Sequence, residues 1–593
     1  MNRPLEQLRL LMAERHMDAY LVPACDDHQS EYFSDYFAAT RFLSHFTGEA
    51  CTLVITAEEA MLWTDGRFFI QAEEQMDPAF TLCRMGTEGV PTVDEYLANT
   101  LPADGCLGFD GRLVTVRQMK TWQKELEGKN IRFAWEEDLV GAVWPDRPAL
   151  TSKPAFLLDL CYAGKSASEK LADLRAEMKK AQADVHLLTS LDDIAWLFNI
   201  RGDDIPCNPV ALSYAVITEE TATLFLRKDV ADKALEEALR AEGVTLGNYD
   251  AVYDCAAALP AGSRILVDES KVNMALTSRL PEGCQLVPAA NPTTLMKSIK
   301  NETEIQNILS CHVKDGVAMV KFIYWLKTHI GRERITEIST SDVLEGFRRE
   351  QPLNRGLSFE TIAGYGPHGA MMHYMATPGT DAELAPEGFL LVDSGGQYLD
   401  GTTDITRTIV LGPLTDEQKR HFTAVVRGML NLANARFLEG CSGLSLDYLA
   451  RQPMWEMGID YRCGTGHGVG FLLNVHEGPQ SFFWKSRPGR ENVALAPGMV
   501  TTDEPGIYLD YRYGIRTENE LLCVRDEKNE YGQFLHFRHI TFCPIDLDGI
   551  DKQYMTAEEV RLLNEYHALV YETLKDHLPE AEAAWLREAT RAI

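Results

Sequence analysis

The chain lacks several features that would place it in a common class, and each absence removes one. No apolar run reaches the roughly 18 residues of a membrane-spanning helix, so no transmembrane segment is expected. The start, Met1-Asn-Arg-Pro-Leu-Glu-Gln-Leu, lacks the basic-then-apolar pattern of a secretory leader. Basic residues are scarce: 57 Lys and Arg stand against 88 Asp and Glu, a net charge of −31. That balance argues against a nucleic-acid partner and against docking on anionic membranes. The cysteines number 13, an odd count, and none forms Cys-x-x-Cys. Scattered single cysteines fit reduced thiols in a cytoplasmic protein better than a disulfide framework or a zinc knuckle.

What is present is enough chain for several cores. A length of 593 residues predicts roughly three to four domains of about 150 residues. A helix pattern over 4–17 leads into a strand, Asp18-Ala-Tyr-Leu-Val22. Cys51–Thr56 and Ala60–Trp63 read as further strands, and helix patterns recur near 66–76 and 114–127. Three prolines between Trp144 and Pro154 mark a linker, and a second linker is read over 287–303. Ile305 to Leu326 is a long helix pattern and Thr340 to Arg349 another. Strands and loops fill the chain to about 545, and Thr556-Ala-Glu-Glu559 opens a helical end.

The first two stretches repeat one another. Leu8, Arg9, Met12, Asp18, Leu21, Asp26 and Asp27 recur as Leu174, Arg175, Met178, Asp184, Leu187, Asp192 and Asp193, at one constant offset. The period is far too long for a solenoid, so two related α/β domains in tandem are expected, 1–153 and 154–300. Both copies are poor in clustered His, Cys and glycine-rich loops, which reads as architecture rather than chemistry.

The chemistry-bearing residues fall between 360 and 525. Phe389-Leu-Leu-Val392 delivers Asp393, a glycine-bearing turn follows, and Asp404-Ile-Thr-Arg-Thr-Ile-Val410 opens with a second aspartate. Two neighbouring strands, read as a hairpin, set two carboxylates side by side, which calls for a shared proton or a cation. Downstream lie Gly464-Thr-Gly-His-Gly-Val-Gly470 with His467, Asn474-Val-His-Glu-Gly-Pro479 with His476, Glu504 before Pro505-Gly506, and Glu518 ahead of Leu521-Leu-Cys-Val524. The glycine-rich segment has neither the Lys-Ser/Thr of a P-loop nor the spacing of a dinucleotide fingerprint. Asp400 reads as solvated, and Glu520 shares a strand face with Glu518, so spacing does not separate those two. Taken together, two Asp, one His and two Glu form an oxygen-rich set with one imidazole. That set suits a pair of fairly hard divalent cations such as manganese, and favours cations over a shared proton.

The ordered set Asp393, Asp404, His467, Glu504 and Glu518 resembles the metallopeptidases of the pita-bread fold, closest to the large three-domain cytosolic aminopeptidase P family. The resemblance extends to His28-Gln-Ser-Glu-Tyr32, Trp63-Thr-Asp-Gly-Arg67 and Leu191-Asp-Asp-Ile-Ala-Trp-Leu-Phe-Asn199, and so covers the whole chain. It implies two creatinase N-terminal-like α/β domains and then a pita-bread α+β catalytic domain, 301–593, with a helical extension from about 550. It implies hydrolysis of the Xaa-Pro bond and release of the N-terminal residue. Two divalent ions are implied, usually Mn2+ with Zn2+ or Co2+ as alternatives, held by Asp393, Asp404, His467, Glu504 and Glu518. Asp404 and Glu518 would bridge, and Glu504 would also take the proton of the attacking water. His373 and His476 would act on the substrate side, and Tyr508 and Arg516 would hold Asp393. A homodimer in the cytoplasm is implied as well. One departure stands out: many relatives carry His four residues before the ligand histidine, where this chain has Cys463. The competing expectations are a prolidase acting on dipeptides only, a metal-free amidinohydrolase, and a non-catalytic peptide-binding protein. The last two predict a degraded ligand set.

Overall fold

In the computed structural model, Asn2 caps the first helix, Arg3–Glu14, by accepting from the Leu5 amide, and Pro4 sits in its first turn, where no amide partner is required. Leu5, Leu8 and Met12 form the buried face of that helix. The structure describes residues 2–486 and 492–593. They fall into two units, Met1–Asp159 with Lys165–Thr293, and Leu160–Gly164 with Thr294–Ile593.

The front unit holds two six-stranded sheets of one design. The first runs, edge to edge, Thr81–Arg84, Ala60–Thr64, Cys51–Thr56, Ala19–Pro23, Cys106–Phe109 and Arg132–Ala134. The second runs Val244–Asn248, Ala222–Leu226, Ser213–Thr218, Val185–Leu188, Arg264–Val267 and Gln285–Pro288. In both, the inner three strands are antiparallel and the outer neighbours parallel. The repeated residues do repeated work. Arg9 Nε donates to the Thr56 carbonyl at 2.9 Å, and Arg175 Nε to the Thr218 carbonyl at 3.0 Å. Asp18 and Asp184 each accept a strand amide, from Cys106 and Arg264, at 2.8 Å. The copies meet through Thr115 and Asn273, both helix N-caps, which form an isolated bridge.

The second unit places the candidate site between sheets. A three-stranded sheet, Ile362–Tyr365, Phe389–Ser394 and Ile405–Val410, carries the aspartates. Phe389–Ser394 and Ile405–Val410 pair antiparallel with Asp393 opposite Thr406, so the hairpin reading holds. The connection is longer than a turn, because Gly396–Tyr398 and Gly401–Thr402 pair with each other within it. Gly395 is required there: a Cβ would stand 1.8 Å from the Thr403 carbonyl oxygen. A six-stranded sheet contributes Gly466–Gly468, Val500–Asp503 and Asn519–Asn529. Helices Glu302–His329, Asp416–Ala433, Gly443–Trp455 and Ala557–Leu574 contribute to the buried apolar cores around these sheets, with Val320, Phe422, Met429, Met454, Leu563 and Val570 among the buried contacts.

Two sequence expectations change. Asp400 is buried, not solvated, and Lys314 of the long helix pairs with it at 2.6 Å. The 287–303 segment is no free linker: it contains a strand end and the helix Pro292–Ser298, and Lys297 and Lys300 are buried on Glu477.

Candidate metal centre

Donor atoms of Asp404, His467 and Glu518 lie within 4.8 Å of one another. Each is positioned by a strand. Asp404 immediately precedes Ile405–Val410, His467 is the middle residue of Gly466–Gly468, and Glu518 immediately precedes Asn519–Asn529. The glycines beside His467 are needed for its strand to pack: a Cβ on Gly466 would meet the Thr502 carbonyl at 2.0 Å, and one on Gly468 the Glu477 carbonyl at 2.2 Å.

His467 Nδ1 donates to the Gly468 carbonyl at 2.9 Å, which leaves Nε2 for the cluster. Nε2 stands 3.3 Å from Glu504 Oε1 and 3.5 Å from Asp404 Oδ2. Glu504 itself accepts the Thr502 hydroxyl at 3.1 Å, and its amide bonds the Thr465 carbonyl. Glu518 Oε2 accepts the Thr406 hydroxyl at 2.7 Å. Asp393 joins by another route: Arg516 Nη2 donates to its Oδ2 at 2.5 Å, while Oδ1 is buried with no hydrogen-bond partner among the described residues. Tyr508 is linked to Asp393 through Arg516, whose Nη1 donates to the phenol oxygen at 2.8 Å.

The electrostatics are those of crowded acids. Burial, then the charges of Asp393 and Glu504, push the Asp404 carboxyl up to about 6, although His467 works the other way. Glu518 is raised well above its ordinary range by burial and by Asp404, Asp393 and Glu504. Burial alone would lower His467, but Asp404 and Glu504 outweigh it and hold the ring up to about 9. Burial opposes the Arg516 charge too, yet Tyr508 and Asp393 keep its pKa well above the ordinary value.

His476 packs edge-on against His467 with ring centroids 4.3 Å apart. His373 is half-buried directly after Met372, whose carbonyl accepts from Arg516 at 3.4 Å. Cys463 is half-buried and packs on the catalytic core, with its carbonyl held by Arg451 at 2.7 Å.

Contacts, not burial, separate Glu520 from Glu518, since both are fully buried. Glu520 Oε1 accepts the Asp404 amide at 2.7 Å and faces His312 Nε2 at 3.0 Å, so it braces the ligand strand from behind. Sequence reading missed Thr406, Thr502, Glu520 and His312 as supports. Thr406 carried a signal: at two residues from Asp404 it shares its strand face.

Family models match along the chain. Residues 306–525 match metallopeptidase family M24, and 533–593 match the C-terminal region of peptidase M24. Residues 4–134 and 146–304 each match the creatinase/prolidase N-terminal domain. Aminopeptidase P1 of Arabidopsis thaliana is 37% identical, over 100% of this chain and 99% of its own length. A probable Xaa-Pro aminopeptidase P of Talaromyces marneffei is 38% identical, over 99% and 92%. The crystal structure of an X-prolyl aminopeptidase from Caenorhabditis elegans, described as a cytosolic enzyme with a di-nuclear active site, superposes with a TM-score of 0.94. It is 34% identical over 100% of this chain and 99% of its own. An Xaa-Pro dipeptidase from Bacillus anthracis shares the fold over only 64% of this chain, at 24% identity and a TM-score of 0.51. The chain belongs to metallopeptidase family M24, in the group of full-length Xaa-Pro aminopeptidases P.

Proposed function

We propose that this chain is a dinuclear-metal aminopeptidase that hydrolyses the Xaa-Pro bond and releases the N-terminal residue of peptides with proline in second position. The observation that carries the reading is the buried Asp404–His467–Glu518 cluster, set in a chain that matches Xaa-Pro aminopeptidases from end to end. The residues fit a metal. Asp404 and Glu518 are raised by burial and by their acid neighbours, one imidazole nitrogen is aimed at them, and a buried Asp393 oxygen has no hydrogen-bond partner among the described residues. Asp393, Asp404, His467, Glu504 and Glu518 would hold two divalent ions. Bound there, the ions supply a Lewis acid and a water acidic enough to act as nucleophile at neutral pH.

The chain's own groups would divide the remaining work. Glu504, less buried than Asp404 or Glu518, accepts the proton of the attacking water. Arg516 holds Asp393, and Tyr508 holds Arg516. His476, packed on His467, and His373 face the substrate and serve the developing oxyanion and the leaving nitrogen. An Xaa-Pro bond offers no N–H, so selection falls to shape around the proline ring. The finer reading assigns Mn2+ as the ion, a homodimer as the assembly and the cytoplasm as the compartment. It sets the domains at 1–153, 154–300 and 301–593.

Metal analysis of the purified protein, together with turnover of Xaa-Pro-Yaa peptides against Xaa-Pro dipeptides, tests the proposal. Turnover of the longer peptides, abolished by chelation and restored by Mn2+, is expected. Hydrolysis confined to dipeptides would overturn it in favour of a prolidase.

A further inference from the structure

Arg407 follows Asp404 by three residues in the strand Ile405–Val410, and its side chain is fully buried. By strand alternation it lies on the face opposite Thr406, whose hydroxyl holds Glu518. Its guanidinium forks into neutral acceptors. Nη1 donates to the carbonyls of Glu518 at 2.6 Å and Thr406 at 2.9 Å. Nη2 donates to Asn519 Oδ1 and the Cys543 carbonyl at 2.8 Å, and to the Tyr566 hydroxyl at 2.9 Å. Nε donates to the Pro544 carbonyl at 3.0 Å. Among the described residues Arg407 makes no ion pair. A buried cation without a counter-ion is costly unless its donors are all satisfied, and a planar five-donor fork suits this arrangement where lysine would not.

These bonds link two parts of the catalytic unit. On one side is Glu518, whose amide also bonds the Thr406 carbonyl at 3.1 Å, so both backbone groups of that residue are held by positions 406 and 407. On the other side is the helix Ala557–Leu574, the first of the two helices in the C-terminal region and hereafter the C-terminal helix. Tyr566 on that helix meets Arg407 and contacts the carbonyls of Cys543 and Thr541 at 2.8 and 3.1 Å. The next residue, His567, accepts the Ile545 amide at 3.1 Å and fixes the same segment that supplies Pro544 and Cys543.

We propose that Arg407 and Tyr566 are positioning residues, through which the C-terminal helix fixes the backbone of Glu518 and so sets how tightly the site holds its ions. The inference rests on the dinuclear reading above. It assigns the C-terminal region a part in metal retention without giving it any contact with substrate.

The test titrates Mn2+ into metal-stripped full-length protein by calorimetry, and measures kcat and KM separately on an Xaa-Pro-Yaa peptide. Tyr566→Phe keeps the ring and removes the hydroxyl. It is expected to weaken Mn2+ binding by about 10-fold and to lower kcat similarly, with KM within about two-fold. Arg407→Lys is expected to do more, up to about 100-fold. Leu569→Ala, on the exposed side of the same helix, is expected to change neither. If Tyr566→Phe lowers only the melting temperature and binds Mn2+ as the wild type does, the residue is merely structural and the proposal is overturned. If the wild type itself takes up no Mn2+, the dinuclear reading fails first, and a separate result shows it. Should Arg407→Lys fail to fold, the conservative Tyr566→Phe still decides.

Discussion

Each unit buries a cluster of acids, and the two clusters are opposites. In the front unit, Asp27 Oδ2 accepts the hydroxyls of Tyr214 at 3.0 Å and Tyr249 at 2.7 Å. His28 bridges Tyr249 at 2.6 Å and the Thr189 carbonyl at 2.7 Å, and Asn273 donates to the Asp27 carbonyl at 3.0 Å. Asp26 Oδ1 accepts two amides, from His28 and Ser30. These partners come from both repeats, so the cluster stitches the copies together. In the second unit, the Asp404 carboxylate has no protein donor but His467 among the described residues, and the acids face one another. An orphaned oxygen does not tell the clusters apart, since among the described residues Asp26 Oδ2, Asp27 Oδ1 and Asp393 Oδ1 all lack a hydrogen bond. What differs is the company. The front acids are supplied with hydroxyl and amide donors as well as the His28 ring, 3.5 Å from Asp27 Oδ1, whereas Asp404, Glu504 and Glu518 crowd one another around a single imidazole, a repulsion that a cation would relieve.

The comparison can be broken most sharply at Asp404. Asp404→Asn is expected to lower kcat/KM by more than about 100-fold and to reduce bound Mn2+, read by activity and elemental analysis. Equal loss in Asp27→Ala would erase the contrast. That variant is instead expected to strand two buried phenols, costing about 1–3 kcal/mol of front-unit stability in a denaturation experiment, with kcat/KM within about two-fold. Glu520→Gln should fall between them: it keeps an acceptor for the Asp404 amide but loses the charge facing His312, and a loss of about 10-fold in Mn2+ affinity is expected.

The smallest effect is a pH slope. Burial first, then the charges of Arg407 and Arg591, lower His567 to about 3, and the groups packed on it are the Tyr566 ring and the Ile545 amide. The unfolded chain therefore takes up this proton first. Stability is whole above about pH 6.5 and falls as the pH drops toward 3. Between pH 6.5 and 5 the loss from this one ring is at most about 2 kcal/mol, and His567→Asn should remove that part of the slope. An unchanged slope in thermal unfolding across that range would show that the ring is not the sensor.

Much of this site could be read from the chain, and the limits are physical. His467 announced itself because its strand tolerates only glycine on either side, and that constraint is written locally. The hairpin and the repeat were legible for the same reason: apolar alternation and a constant offset are local or translational patterns. Asp400 was misread because its partner Lys314 sits on a helix 86 residues earlier, and nothing near Asp400 records it. Glu518 and Glu520 share a strand face, and periodicity reports a face but not which partners each side chain meets. Arg407 left only a faint trace, a lone arginine in the otherwise uncharged segment Ile405–Val410, and its acceptors are backbone carbonyls that no sequence pattern encodes.

The wide spacing of the ligands has a consequence for how the protein is made. Asp404 emerges from the ribosome more than a hundred residues before Glu518, and Tyr566 comes later still. At roughly 5–20 residues per second, the growing chain spends several seconds with its first carboxylates exposed and no means of gripping an ion. The two front sheets, complete by then, can fold in that interval without it. Loading with metal is thus a late event by the order of synthesis, and on the inference above a chain cut short before Ala557–Leu574 is built would be the one least able to keep what it had bound.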